Sequence, residues 1–177
     1  MGGRKTGGLR GSVLEDMINR TNEIYRQKKL ALIQKVPTPI TPIDIDPLTK
    51  QIKLAYFDRK STIDYIGAVQ GIPVCFDAKE CAADTFPLAN IHEHQMAFME
   101  EFEQQGGISF FIMSFTARNE IYYVRLKCVQ DFFRRMQEGG RKSFRYEDMD
   151  QSYRISGNGD MLVHYLVSLQ QDLDSRE

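Results

Sequence analysis

Apolar residues recur along this chain at two periods, 3.6 and 2, and the changes of period mark its elements. Ser12-Val13-Leu14-Glu15 has capping-box form, and Leu14, Ile18, Thr21, Ile24 and Tyr25 continue one helical face to about Gln27. Leu30 to Val36 is an apolar run long enough for a buried strand. Four of the six prolines then fall between Pro37 and Pro47, after which Gln51 to Phe57 resumes alternation. Further on, Ile108 to Phe115 is apolar throughout, which predicts a central strand covered on both faces. Glu120 to Arg125 reads as its neighbour across a turn at Thr116 to Asn119, and Leu126 to Gln137 as a helix burying Val129, Phe132, Phe133 and Met136. Asn158 or Asp160 starts a last helix, with Leu162, Tyr165, Leu166 and Leu169 inward and an acidic tail that should fray.

The middle of the chain carries the chemistry. A strand through Asp64 and a second from Ile72 to Glu80 are joined by a turn at Val69-Gln70-Gly71. Alternation in the second turns Val74, Phe76 and Ala78 to one face, and Cys75, Asp77 and Lys79 to the other. Asp77 and Lys79 then stand roughly 7 Å apart along the strand, with Asp64 folded back toward them. The following helix, Asn90 to about Gln104, places Ile91, Gln95, Phe98 and Phe102 on one stripe, so an amide sits in an apolar row. A buried amide needs partners, and Gln95 reaches the acid cluster if this helix packs beside the Asp77 strand.

Two carboxylates suit Mg²⁺, which keeps most of its waters and completes its shell with substrate phosphate. A neighbouring lysine can deprotonate or orient an attacking water. The grouping therefore suits phosphodiester hydrolysis, although Asp-x-Lys on a strand also makes plain surface ion pairs. The His92-Glu93-His94 run is no zinc motif, because Met96 stands where HExxH needs its second histidine, and both histidines read as structural.

Thr62-Ile63-Asp64-Tyr65, Phe76-Asp77-Ala78-Lys79-Glu80, Phe86-Pro87-Leu88 and the run from Asn90 to Gln95 resemble, in order and spacing, the RecU family of Holliday junction resolvases. Gly140-Arg141-Lys142-Ser143 and Tyr153-Arg154-Ile155-Ser156 extend the resemblance over nearly the whole chain. It implies an α/β, restriction-endonuclease-like mixed sheet flanked by helices, with a projecting β-hairpin stalk, in a homodimer. It implies a crossover junction endonuclease of recombination and repair, dependent on Mg²⁺ with Mn²⁺ as substitute. By matching position Asp64, Asp77, Lys79 and Gln95 are catalytic, Asp64 and Asp77 hold the metal, and Thr62 supports the site. The family usually has glutamate where this chain has Asp77. Glu15 either closes its helix cap or reaches the metal cluster as a first-helix acid. A junction-binding or recombinase-modulating protein with weak or no cleavage is the alternative function.

Composition narrows the setting. With 177 residues, 42% of them apolar, the chain is sized for a single nuclease domain, residues 1–177. No run approaches the roughly 20 apolar residues of a membrane span, and three cysteines without metal-like spacing predict free thiols in the cytoplasm. The net charge of −1 hides a segregation: residues 1–60 hold 12 Lys/Arg against 6 Asp/Glu, and residues 61–117 hold 1 against 8. Basic flanks around an acidic centre suit a protein that grips branched DNA by its phosphates. The candidate contacts are Arg4, Lys5 and Arg10 in a flexible tail (1–10), Lys50 and Lys53 in the proline-rich stretch, and Arg141 and Lys142 in a basic turn.

That stretch, 37–57, reads as a hairpin arm: Ile40 to Asp46 outward, Pro47-Leu48-Thr49 turning, Lys50 to Phe57 returning. Its prolines cannot serve a ladder on both sides. Ile43, Ile45, Ile52 and Leu54 are placed to bury against the arm of a second protomer.

Overall fold

The computed structural model describes residues 12–57 and 62–176. The first helix, α1 (Val13–Gln27), starts at Ser12, whose hydroxyl accepts the Glu15 N–H at 3.1 Å, and it buries Leu14, Ile18, Thr21 and Tyr25. Strands follow in chain order: β1 (Leu32–Lys35), β2 (Ile40–Ile45), β3 (Ile52–Phe57), β4 (Tyr65–Val69), β5 (Ile72–Cys81) and β6 (Thr85–Pro87). Helix α2 (Glu93–Gln104) leads to β7 (Ile108–Phe115) and β8 (Glu120–Arg125), then α3 (Leu126–Gln137), β9 (Ser143–Arg145), β10 (Arg154–Ile155) and α4 (Leu166–Asp174).

Six strands form a mixed sheet in the order β1-β4-β5-β7-β8-β10. Among the described residues only β5 and β7 pair in parallel, and the crossover this requires is the segment containing α2. The β4–β5 hairpin closes on Gln70 and Gly71 at φ +49° and +89°, the paired positive values that a two-residue turn needs to match strand twist. Every residue of β7 is buried, as its apolar run predicted. Alternation along it feeds two cores: Phe110 and Ile112 join Leu14, Ile18, Tyr65, Phe76 and Tyr165, while Phe111 and Met113 join Cys75, Met99, Leu126 and Val129. The sheet thus has α1 and α4 on one face and α2 and α3 on the other.

Strands β2 and β3 form a separate two-stranded antiparallel sheet, with register shifts beside Asp44. Their apolar side chains Ile43, Ile45, Ile52, Leu54, Tyr56 and Phe57 are exposed. This is the predicted hairpin arm. A third pairing, β6 with β9, brings Phe86 onto Phe144 and fastens the basic turn region to the α2–α3 side.

Several elements differ from the sequence reading. Strand β1 is a short, mostly exposed sheet edge and not a buried strand, because among the described residues it is the outermost strand of the sheet. Asp64 lies on a bend one residue before β4. Helix α2 begins at Glu93, after a 3₁₀ turn over Leu88–Asn90, and it buries Met96 and Met99 while Phe98 and Phe102 are only half-buried. The last helix begins at Leu166. Asn158 and Met161 instead form an isolated bridge, and the Val163 N–H is taken by the Thr21 hydroxyl at 3.1 Å. The tail is held up to Arg176, whose guanidinium grips the buried Asp172 and Glu103.

Candidate active site

Four residues named from the sequence meet where β5 crosses the start of α2. Asp77, on β5, is fully buried. Its Oδ2 accepts from Lys79 Nζ at 2.6 Å and from Gln95 Nε2 at 3.0 Å, and Lys79 is itself only 17% exposed. The strand period makes the first contact possible, since Asp77 and Lys79 share a face. The second comes from α2, whose first turn lies against β5. The Gln95 carbonyl oxygen accepts from Lys79 Nζ at 3.3 Å and from the His92 backbone N–H at 3.2 Å.

Asp64 reaches the group from the bend before β4, and its Oδ2 accepts the Ala78 backbone N–H at 2.9 Å. Burial first, and then repulsion from Asp77, push its carboxyl up to about 7, against the opposing pull of the Ala78 N–H and Lys79. Two crowded carboxylates share the field of one ammonium, which contacts Asp77. Asp77 Oδ1 is buried and has no hydrogen-bond partner among the described residues. A buried carboxylate oxygen without a donor is costly, and either a proton shared with Asp64 or a bound cation relieves it. No cluster of three or more His, Cys, Asp or Glu suited to a metal exists among the described residues. Mg²⁺ bound by one or two carboxylates plus substrate phosphate needs none.

Glu15 does not join these contacts. Its carboxylate lies 2.7 Å from Lys35 Nζ, and the β1 residue Lys35 pairs with Tyr65 in β4, so the ion pair stands at the edge of the same sheet end. The charges of Glu15 and Asp64 both act on the buried Tyr65 hydroxyl. Thr62 is half-buried two residues before Asp64. In the arm, Lys53 pairs with Asp46 at 3.1 Å, and Lys50 holds a positive φ of 60° in the turn. Arg141 pairs with Asp148 at 3.3 Å and Lys142 is exposed. Arg4, Lys5 and Arg10 lie outside the described residues. The sequence reading missed the Ala78 and His92 backbone donors, which carry no side-chain signal, and the Lys35 partner of Glu15, which only strand register brings near.

A mixed sheet with two acids, a lysine and an amide converging at one strand defines an α/β protein with a compact polar centre. The chain belongs to the RecU family: the family described as "Recombination protein U" matches residues 9–171. The Holliday junction resolvase RecU of Pediococcus pentosaceus is 37% identical over 95% of this chain and 86% of its own length. That of Oceanobacillus iheyensis is 40% identical over 92% and 85%. Among solved structures, Archaeoglobus fulgidus Hjc, a Holliday junction resolvase, matches at a TM-score of 0.36 and 8% identity, over 64% of this chain and 75% of its own.

Proposed function

We propose that this chain is a metal-dependent endodeoxyribonuclease that resolves four-way DNA junctions, as its relatives' names describe them. The observation that carries the reading is Asp77, buried with Oδ1 lacking a donor among the described residues and lying close enough to Asp64 that, together with burial, its charge raises the Asp64 pKa. Asp64 and Asp77 would hold one or more divalent cations, Mg²⁺ by the hardness of their oxygens, with Mn²⁺ able to substitute. Such an ion would supply charge neutralisation at the scissile phosphate and would lower the pKa of the attacking water, easing loss of its proton.

The remaining work falls to the chain's own groups. Lys79 places its ammonium beside Asp77, where it orients the attacking water and meets charge that develops on the phosphate. Gln95 fixes the direction of both Lys79 and Asp77, and Thr62 supports the segment that carries Asp64. Glu15, paired with Lys35 at the same end of the sheet, is the further acid that would join them if it leaves that lysine. Lys50 and Lys53 on the arm, Arg141 and Lys142 in the basic turn, and Arg4, Lys5 and Arg10 in the tail would contact phosphates.

Junction resolution needs two strands of like polarity cut symmetrically, which a twofold homodimer provides. The arm's exposed apolar residues supply a surface for the second copy. In this reading the protein is a single nuclease domain that acts in the cytoplasm in recombination and repair of damaged DNA, with a recombinase as further partner. No helix among the described residues is long and apolar enough to cross a membrane. The deciding experiment is cleavage of a labelled four-way junction with and without Mg²⁺. Symmetric cuts that require the cation are expected; junction binding with no cleavage would leave the junction-binding, recombinase-modulating role.

A further inference from the structure

Helix α1 ends in a turn that carries a lysine where a glycine would fit better. The Leu30 N–H donates to the Tyr25 carbonyl at 2.9 Å and the Lys29 N–H to the Arg26 carbonyl at 3.1 Å, the paired bonds of a Schellman cap. Such a cap needs one residue in the left-handed region, where a Cβ crowds the carbonyl and glycine is favoured. Here that residue is Lys29, at φ 57°. The Gln70 amide, in the β4–β5 turn, donates to the Lys29 and Leu30 carbonyls at 3.1 Å each. Two tight turns are thus locked together, and beside them lies a cleft of about 330 Å³ lined by Arg26, Lys29, Leu30, Ala68 and Gly71.

Other cations of α1 and β1 face an acid: Arg20 pairs with Asp160, Arg26 with Glu23 and Lys35 with Glu15. Lys28 and Lys29 are exposed and form no ion pair among the described residues. Unpaired charge fixed at a glycine position is held for an anion outside the chain. Distance points to which one. From Glu15, at the active-site end of the sheet, to Lys28 the helix rises ~20 Å. From Asp77 back to Gly71, strand β5 covers ~20 Å as well. A duplex advances ~3.4 Å per base pair, so the cleft stands ~6 base pairs from a phosphate cut at Asp64 and Asp77. The backbone of one duplex arm fits that reach and repeats its charge at every step.

We propose that Lys28 and Lys29, beside Arg26, clamp the phosphates of a duplex arm at the far end of α1 from the site of cutting. The inference rests on the proposed nuclease reading. The test uses the full chain and four-way junctions whose arms are either longer than about 12 or shorter than about 5 base pairs, on either side of the ~6 expected. Joint Lys28→Gln and Lys29→Gln substitution should reduce the salt slope of binding by about 1.8 on long arms, for two phosphates at about 0.9 each, and leave it unchanged on short ones. Joint Lys28→Arg and Lys29→Arg substitution should keep the wild-type slope. Lys29→Gly is the sharper variant, because it should raise the melting temperature by about 2–4 °C through relief of the left-handed backbone and still lower the slope by about 0.9. That combination separates a lost contact from a weakened fold. An unchanged slope in the glutamine variant, an equal loss on short arms, or a Lys29→Gly protein that melts higher and binds as wild type would each overturn the clamp; the first would leave the lysines to an acidic protein partner. Failure of the wild-type chain to bind and cut junctions would instead bring down the nuclease reading, and this inference with it.

Discussion

Gln95 donates its amide N–H to Asp77 Oδ2 at 3.0 Å while its carbonyl oxygen takes Lys79 Nζ and the His92 N–H. Two donors on one side and an acceptor on the other leave the amide one orientation. It works as a spacer that sets acid and lysine at fixed angles. Gln95→Ala should therefore slow junction cleavage tenfold or more and cost only about 1–2 kcal/mol of stability for the buried hydrogen bonds lost. Paired cleavage rates and melting curves check this. A large fall in melting temperature with an unchanged rate would make the amide purely structural.

Asp64→Ala, Asp77→Ala and Lys79→Ala should each abolish or severely reduce cleavage while junction affinity stays within a few-fold of wild type, since these groups act in chemistry more than in binding. Lys79→Ala should also destabilise the fold without metal, because it strips the ammonium from a fully buried carboxylate. Asp77→Glu, the acid usual in the family, should preserve or raise activity. A fully active Asp77→Ala protein would remove the site assignment.

The Asp64 carboxyl, raised to about 7 by burial and by Asp77, sets a pH dependence. The folded state holds this proton more tightly than the unfolded state, so the metal-free protein should lose stability as pH rises from about 4 to about 7. Divalent cation should offset that loss, stabilising more at pH 8 than at pH 5. Calorimetry across this range, with Asp64→Asn expected to flatten the profile, is the check.

The arm is predicted to read shape. Replacing residues 39–54 with a short Gly-Ser turn should leave the six-stranded sheet and its acid pair intact, because among the described residues β2 and β3 pair only with each other. Preference for junctions over duplex should disappear. Wild-type binding should fall with salt at a slope of about 0.9 per neutralised phosphate, and removal of residues 1–10 should flatten the slope. An unchanged slope would place the tail away from DNA.

Asp172 is fully buried, yet it takes Tyr123 Oη at 2.6 Å and Arg176 Nε at 3.0 Å. Arg176→Ala should lower stability by about 2 kcal/mol, less than for a fully buried pair because Arg176 is one-third exposed. Thermal melts that leave the cleavage rate untouched would be the signature.

Periodicity alone determined the main elements of this protein: the capped first helix, the central β7, the hairpin into β5, and the pairing of Asp77 with Lys79 on one strand face. These depend on neighbours two to four residues apart, which a sequence displays directly. The arm was legible for the same reason, since prolines bar a ladder on both sides of a strand and alternation resumes after a turn. Tertiary structure decided what depends on distant chain segments. It made β1 an exposed edge despite its apolar run, because no strand among the described residues lies beyond it. It delayed the last helix to Leu166, because the Thr21 hydroxyl in α1 takes the Val163 N–H. It sent Glu15 to Lys35 and clamped the acidic tail through Arg176. The site divides in the same way. The residue types and spacing of Asp64, Asp77, Lys79 and Gln95 were readable, but their meeting depends on the β4–β5 register and on α2 packing against β5. The donorless Oδ1 of Asp77 exists only because both neighbours chose the other oxygen.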